Sequence, residues 1–291
     1  MTVTMDMIKD LRQRTGAGIM ECKEALRESD GDIEAATQYL RKKGVSKAAK
    51  KADRNTKEGA VRTVVDGAIA AMVEVKCETD FVARNDKFQE FTSNLTEHTA
   101  GSDFVEGDEE FLAQPYLKDK SKTVKDILTA MISEIGENIV VGRRVHMKLQ
   151  GPGLLASYVH GVGNIGVLLE LGADSDNVAQ KPEVANLARD LTMQIAAMRP
   201  IALNPDEIPQ EIIDKEKEVF AAQARESGKP EQIIPKIVEG SLKKFFTESC
   251  LPMQAFVKDN KKTIEALIKE VSSTVGGQIS IRRFFRYELG E

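Results

Sequence analysis

The sequence predicts an α+β protein, and three observations carry that prediction: a start of purely helical pattern, two pairs of segments that repeat each other, and alternating strand-like runs inside each copy. At 291 residues the chain is too long for one small core, so two or three domains are expected. Its composition, 41% hydrophobic and 30% charged with 9 prolines, supplies enough apolar material to bury real cores.

Residues 5–44 read as three short helices. MIKDLRQRTGAG sets Ile8 and Leu11 on one side before a Thr-Gly-Ala-Gly break, and MECKEALRES puts Cys22, Ala25 and Leu26 on one face. Asp30-Gly31-Asp32 is a turn and cap, after which IEAATQYLRKKG carries Ile33, Ala36, Tyr39 and Leu40 to an expected stop at Gly44. The first domain is accordingly set at residues 1–44. The next stretch, VSKAAKKADRNTK at 45–57, is basic and lacks large apolar side chains. It is expected to be a solvated linker or exposed helix. A phosphate-binding arm is the alternative, which a short basic run without aromatics supports weakly.

The remainder repeats itself. EVKCETDFVARNDKFQEFTSNL (74–95) matches ELGADSDNVAQKPEVANLARDL (170–191) at an offset of 96, with Phe88, Phe91 and Leu95 falling on Val184, Leu187 and Leu191. KTVKDILTAMISEIGENIVVGRRVHMKL (122–149) matches KTIEALIKEVSSTVGGQISIRRFFRYEL (262–289) at an offset of 140, without a gap. Each copy reads as hairpin, helix, helix, strand. GAVRTVVDGAIAAMVEVKC is a hairpin about Asp66-Gly67, LLASYVHGVGNIGVLLELG is its twin with a slightly longer turn, and the closing strand of the first copy alternates Val141, Arg143, Val145 and Met147 against polar positions. Two antiparallel three-stranded sheets follow, each with helices on one face, as core subdomains at 58–149 and 150–291. The offsets differ by 44, so the second copy holds an insertion of that size, at about 198–241. There Ile212, Glu216, Val219 and Gln223 mark one narrow-striped helix, Ser227-Gly228-Lys229-Pro230 a stop and restart, and Ile233, Ile237, Leu242 and Phe245 the return. Two such helices would project as an arm.

ETDFVARN, at 78–85, ends the hairpin of the first copy. Thr79-Asp80 is a good helix start, and Ser175-Asp176 keeps that chemistry in the second copy, so the cap belongs to the shared fold. Phe81 does not transfer, because its twin is Asn177. Residue chemistry leaves a core Phe and an interface Phe both open.

ECKEALRESDGDIEAA after LRQRTGAGIM, together with EVKCETDFVARN, resembles the bacterial-type elongation factor Ts family over essentially the whole chain. The resemblance implies a UBA-like N-terminal three-helix domain, a linker, a duplicated core and a helical arm. It implies a guanine-nucleotide exchange factor for elongation factor Tu, not an enzyme, acting on the GDP-bound and nucleotide-free partner in the cytoplasm. Arg12, Ile19, Met20, Lys23 and Thr79 would contact that partner, and Asp80, Phe81, Val82 and Ala83 would dislodge its Mg²⁺, with Phe81 as a wedge. The arm is a candidate dimerisation surface. Two departures stand out: Ile19 sits where many members have Met, and the chain ends at RYELGE without the C-terminal helical module of many members.

Other classes find little support. A net charge of −5, from 41 basic and 46 acidic residues, argues against nucleic-acid binding, which leaves RNA or ribosome binding through 45–57 as the alternative function. The three cysteines, Cys22, Cys77 and Cys250, are far apart and read as free thiols; an enzyme built on Cys77 is the third possibility. His98, His146 and His160 lack metal-ligand spacing, and no cofactor is expected. There is no Walker A or GxGxxG motif, so direct nucleotide binding is not expected, and Gly161, Gly163 and Gly166 read as a hairpin turn rather than a phosphate loop. The N-terminus is no secretory signal, and the apolar segment 153–171 contains four glycines, His160 and Glu170, so no membrane span is expected.

Overall fold

Thr4 opens the first helix by accepting the Met7 N–H at 3.3 Å, and Gly16, in the left-handed region at φ 69°, closes it. The computed structural model describes residues 3–291 and places α1 at Met5–Thr15, α2 at Ile19–Glu28 and α3 at Ile33–Ala49. Ile8, Leu11, Cys22, Ala25, Leu26 and Ala36 form their buried core, edged by Ile33, Tyr39 and Leu40, which is the set that helical spacing predicts.

The first copy follows as β1 (Glu58–Asp66), β2 (Ile69–Cys77), the one-turn α4 (Asp80–Ala83), α5 (Asp86–Gly101) and α6 (Asp108–Ala113). A small ribbon of β3 (Pro115–Tyr116) and β4 (Asp119–Thr123) leads into α7 (Val124–Ile135), and β5 (Val140–Lys148) returns beside β2. The second copy runs β6 (Gly153–His160), β7 (Ile165–Ala173), α8 (Asp176–Ala179) and α9 (Pro182–Met198), then the inserted pair α10 (Gln210–Glu226) and α11 (Ile234–Ser249). It closes with β8 (Ala255–Phe256), β9 (Asp259–Thr263), α12 (Ile264–Val275) and β10 (Ile279–Glu288). Both sheets are antiparallel and three-stranded, ordered β1-β2-β5 and β10-β7-β6, with the second hairpin strand central in each.

The repeated residues acquire physical reasons. Thr123 and Thr263 cap α7 and α12, each accepting an N–H three residues on at 3.2 Å, and Gly136 and Gly276 end those helices at φ 90° and 66°. Val73, Val75 and Cys77 face Phe88, Phe91 and Leu95 of α5, as Val167, Leu169 and Leu171 face Val184, Leu187 and Leu191 of α9. A buried Phe or Leu of this kind is worth about 1.5–3 kcal/mol.

Three features differ from the sequence reading. First, α3 does not stop at Gly44 but runs on to Ala49, so the first five residues of the basic segment are helix. Gly44 is buried against α7, within contact distance of Thr129, and Ala48 packs on the first core; this docking outweighs the roughly 1 kcal/mol that a helical glycine costs. Second, a bulge between Val73 and Val75 in the β2–β5 pairing breaks the alternation of β5. Val141 packs on the helix side, whereas Val145 and Met147 face the opposite side with Ala70 and Met72. Third, the return helix of the arm continues past the expected boundary to Ser249; Gly228, at φ 70° with open space around it, makes the turn between α10 and α11.

The faces of the two sheets that carry no helices pack on each other. Val61, Ala70, Met72, Val145 and Met147 of the first copy form one buried cluster with Leu155 and Leu168 of the second, bordered by Phe285 and Tyr287. The result is four layers: helices, sheet, sheet, helices. Gly166 permits the close approach, since a Cβ there would strike Val61 and Met72. Fully buried Glu74 and Glu170 lie in this slab. Arg143 pairs with Glu74 at 2.9 Å and reaches across to the Glu288 carbonyl at 2.7 Å; Arg283 pairs with Glu170 at 2.7 Å and reaches back to the Lys148 carbonyl at 2.8 Å. Arg143 and Arg283 are repeat equivalents, as are Lys148 and Glu288, so the two copies clasp each other reciprocally. Burial alone would raise the Glu170 carboxyl, but the Gln150 N–H, Arg283 and Arg282 hold it below the usual range.

Candidate functional site

The chain leaves the central strand β2 at Cys77 and turns at once into α4. Thr79 caps that single turn, its hydroxyl accepting from the Val82 N–H at 3.3 Å. The cap fixes which side chains go in and which go out. Ala83 is buried and Val82 packs partly against the first core, while Asp80 and Phe81 face outward. Phe81 is 84% exposed, so the core alternative for this residue is removed. In the second copy Ser175 caps α8 in the same way, accepting from Val178 at 3.4 Å, and Asn177 is exposed as well. The shared fold therefore turns this position to solvent in both copies, and the first copy places an aromatic there. Arg84 lies 3.7 Å from Asp80 on the same face, an exposed pair worth little in stability.

The turn is gripped from both ends. Glu137, in the loop between α7 and β5, accepts from the N–H groups of Glu78 at 3.0 Å and Thr79 at 3.1 Å, and from the Thr79 hydroxyl at 2.6 Å. At the other end the Gln89 amide on α5 donates to the Ala83 carbonyl. Residue types alone did not single out Glu137 or Gln89. The signal that finds them is the repeat, in which they align with Gly277 and Ala185.

The remaining residues implied by the resemblance sit on the first three helices. Arg12 on α1 is exposed; Ile19 and Met20, at the start of α2, are 48% and 72% exposed; Lys23 is half-buried. The end of α7 stands between this helix start and the α4 turn: Glu134 pairs with Lys87 at the start of α5 and lies beside Gly16. Thr79, by contrast, is half-buried and committed to Glu137 and Val82.

The basic segment is largely occupied by this chain. Lys47 pairs with Glu21, the Lys51 ammonium lies against the Ile132 carbonyl and is pushed down by burial, and Arg54 lies 3.4 Å from Glu78. Asn138 fastens the segment by donating to the carbonyls of Ala52 at 3.2 Å and Arg54 at 2.9 Å. Cations spent this way are poorly available to phosphates. Cys77 is fully buried, and its thiol is pushed up to about 12 by burial, with Glu137 and Glu58 adding to the effect. Burial and the raised pKa both disfavour the thiolate, the nucleophilic form of a cysteine. Gly161 and Gly163 form the β6–β7 turn at φ 62° and 116°, with the 163 and 164 N–H groups directed at the His160 carbonyl. Among the described residues no helix is long and apolar enough to cross a membrane.

Comparison with known proteins agrees with this architecture. The family model described as Elongation factor TS matches residues 78–291. Elongation factor Ts of Clostridium novyi (strain NT) is 46% identical over 291 residues, covering 99% of this chain and 93% of that protein. The Elongation factor Ts of Lawsonia intracellularis is 44% identical over 295 residues and the whole of both chains, and that of Bdellovibrio bacteriovorus 41% identical over 290 residues. Full-length identity at this level, on a duplicated α+β core with a helical insertion, settles the family: the chain belongs to elongation factor Ts, the translation elongation factors of protein biosynthesis.

Proposed function

We propose that this chain is the guanine-nucleotide exchange factor for elongation factor Tu. It binds the GDP-bound partner, disturbs the Mg²⁺ and phosphate surroundings of the nucleotide, and holds the nucleotide-free form until GTP enters. Asp80, Phe81, Val82 and Ala83 are the displacing element: Phe81 enters an apolar gap between partner helices, while Asp80 and the adjoining backbone perturb the metal's surroundings. Arg12, Ile19, Met20 and Lys23 seat the N-terminal helices on the partner, and Thr79 serves by holding the turn. The exchange makes and breaks no covalent bond of the nucleotide. Its place of action is the cytoplasm, and the arm, with Ile212, Val219 and Ile233 partly exposed, is the surface for any self-association.

The observation that carries this reading is Phe81, 84% exposed at the tip of a capped and braced turn. Leaving a Phe in water forgoes about 1.5–3 kcal/mol of burial, which a partner's pocket returns on binding. Each tenfold gain in release rate needs about 1.4 kcal/mol, so one such residue accounts for roughly ten- to a hundredfold. Coupling is reciprocal: a factor that weakens GDP binding is itself released when nucleotide returns, and so speeds exchange without selecting the product. The test is stopped-flow release of a fluorescent GDP analogue from elongation factor Tu. The intact protein should accelerate release, and Phe81→Ala should lose roughly ten- to a hundredfold of that acceleration. A folded sample that leaves the release rate unchanged rejects the assignment.

A further inference from the structure

The duplicated core separates what the fold needs from what the first copy adds. Both copies latch the loop after α7 or α12 to the end of the central strand: Asn138 N–H to the Glu78 carboxylate at 2.6 Å, and Gln278 N–H to Asp174 at 2.6 Å. That latch is part of the shared architecture. The Glu137 contacts are not. Gly277 occupies the equivalent position, and a Cβ there would meet Val178 at 2.6 Å, so the second copy has no room for a side chain where the first places a carboxylate. Likewise Ala185 stands where Gln89 reaches the Ala83 carbonyl. In the second copy Ser175 caps the turn, the Asp174 N–H goes to the Gln278 carbonyl at 3.2 Å rather than to a carboxylate, and an exposed Asn177 stands at the place of Phe81. The two additional grips and the exposed aromatic thus occur together, in one copy.

A carboxylate that accepts two backbone N–H bonds and one hydroxyl bond is a stiff support, because charge-assisted bonds are roughly twice as strong as neutral ones. Its three donors lie in the two residues immediately before α4, and the Thr79 hydroxyl passes the restraint to the Val82 N–H. A side chain that must push into a partner needs such a backing. A turn free to recoil would dissipate the binding energy of Phe81 in its own movement rather than in displacing the partner's groups.

We infer that Glu137, assisted by Gln89, is a positioning residue that holds the Thr79–Ala83 turn rigid so that Phe81 acts as a wedge. The inference rests on the exchange reading above and specifies which groups make its site work. Glu137 acts through the Glu78 and Thr79 groups that its carboxylate holds.

The test is the same GDP-analogue release, measured with the full chain over a range of its concentrations, for Glu137→Ala, Glu137→Gln and Gln89→Ala, each alone and with Phe81→Ala. Glu137→Ala should lower the plateau release rate about tenfold while changing the half-saturating concentration less than about twofold, because the other contacts still seat the partner. In the Phe81→Ala background the same change should alter the plateau less than about twofold, since nothing remains to be held. Circular dichroism checks folding. If Glu137→Ala is unfolded, Glu137→Gln, which keeps the volume and one acceptor oxygen, should give the same non-additive pattern at about a threefold loss. An unchanged plateau for Glu137→Ala overturns the inference while leaving the exchange function intact. Equal losses with and without Phe81 overturn it too, by making Glu137 a support of the fold alone. Phe81→Ala at full rate removes the wedge and this inference with it. An intact protein that fails to accelerate release removes both readings.

Discussion

A backbone N–H can only donate, and that decides the state of His98. The Leu117 N–H points at its Nδ1 at 3.1 Å, so the proton sits on Nε2, which faces the Gln114 side-chain oxygen at 3.0 Å. Burial lowers the pKa of this imidazole, against the opposing pull of Gln114. A depressed histidine favours the neutral folded form, so its stability is whole above the unfolded value of about 6.5 and falls as pH drops below that. The second copy holds Gln194 at this place, accepting from the Val257 N–H at 2.8 Å and donating to Gln254 at 3.1 Å, with no proton to gain. His98→Gln should therefore flatten the loss of stability as pH falls below about 6.5, by about 1.4 kcal/mol for each unit of pKa difference removed. Urea denaturation of the variant and parent across that range reads the difference. Equal slopes would mean that His98 is protonated without cost.

At the scale of elements, α3 shows where reading stops. A glycine near the end of a periodic run is a fair stop signal, yet Gly44 lies inside α3, because the surface that stabilises this helix belongs to α7 and is remote in sequence. A Cβ at Gly44 would meet Thr129 at 3.5 Å, an ordinary contact. Gly44→Ala should then raise stability by about 0.5–1 kcal/mol, seen as a higher urea midpoint, by removing the glycine's excess freedom when unfolded. Most of the fold was legible: hairpins, the Phe88/Phe91/Leu95 stripe, the insertion, and the Thr79 cap all follow from local spacing and turn chemistry. The β5 bulge was not, because it answers to buried Glu74 across the strand rather than to any local pattern. The outward turn of Phe81 was half legible, through Asn177; Glu137 sits in an ordinary loop, where its repeat partner Gly277 marks a difference between the copies and the 2.6 Å contact with Thr79 shows what that difference does.

At the scale of the molecule, the two copies depend on each other. Arg143 serves Glu74 in its own sheet and the Glu288 carbonyl in the other, and its planar fork rises in basicity beside that carboxylate. Arg143→Leu leaves Glu74 fully buried with Lys76 at 3.6 Å as its nearest remaining cation, and should cost about 3 kcal/mol. Arg283→Leu should cost less, because Glu170 keeps Arg282 at 3.2 Å and the Gln150 N–H at 2.9 Å. Chemical denaturation of both variants orders them, and each should show one transition for the whole core, since the sheets share a single buried slab. Equal costs would place the stabilising work elsewhere than in these pairs.

The turn at Gly163 has a consequence for how the protein behaves in a crowded solution. β1 is an outer strand, and its unpaired side offers N–H groups that any extended chain could join. The Val61 N–H is instead taken by the Gly163 carbonyl at 2.7 Å, from the other copy's hairpin. At φ 116°, with Ala60 and Arg62 pressed around it, this position admits glycine and little else. The duplication that brings two sheets together thereby also covers part of an adhesive edge, so that the second copy guards the first against strand-by-strand aggregation.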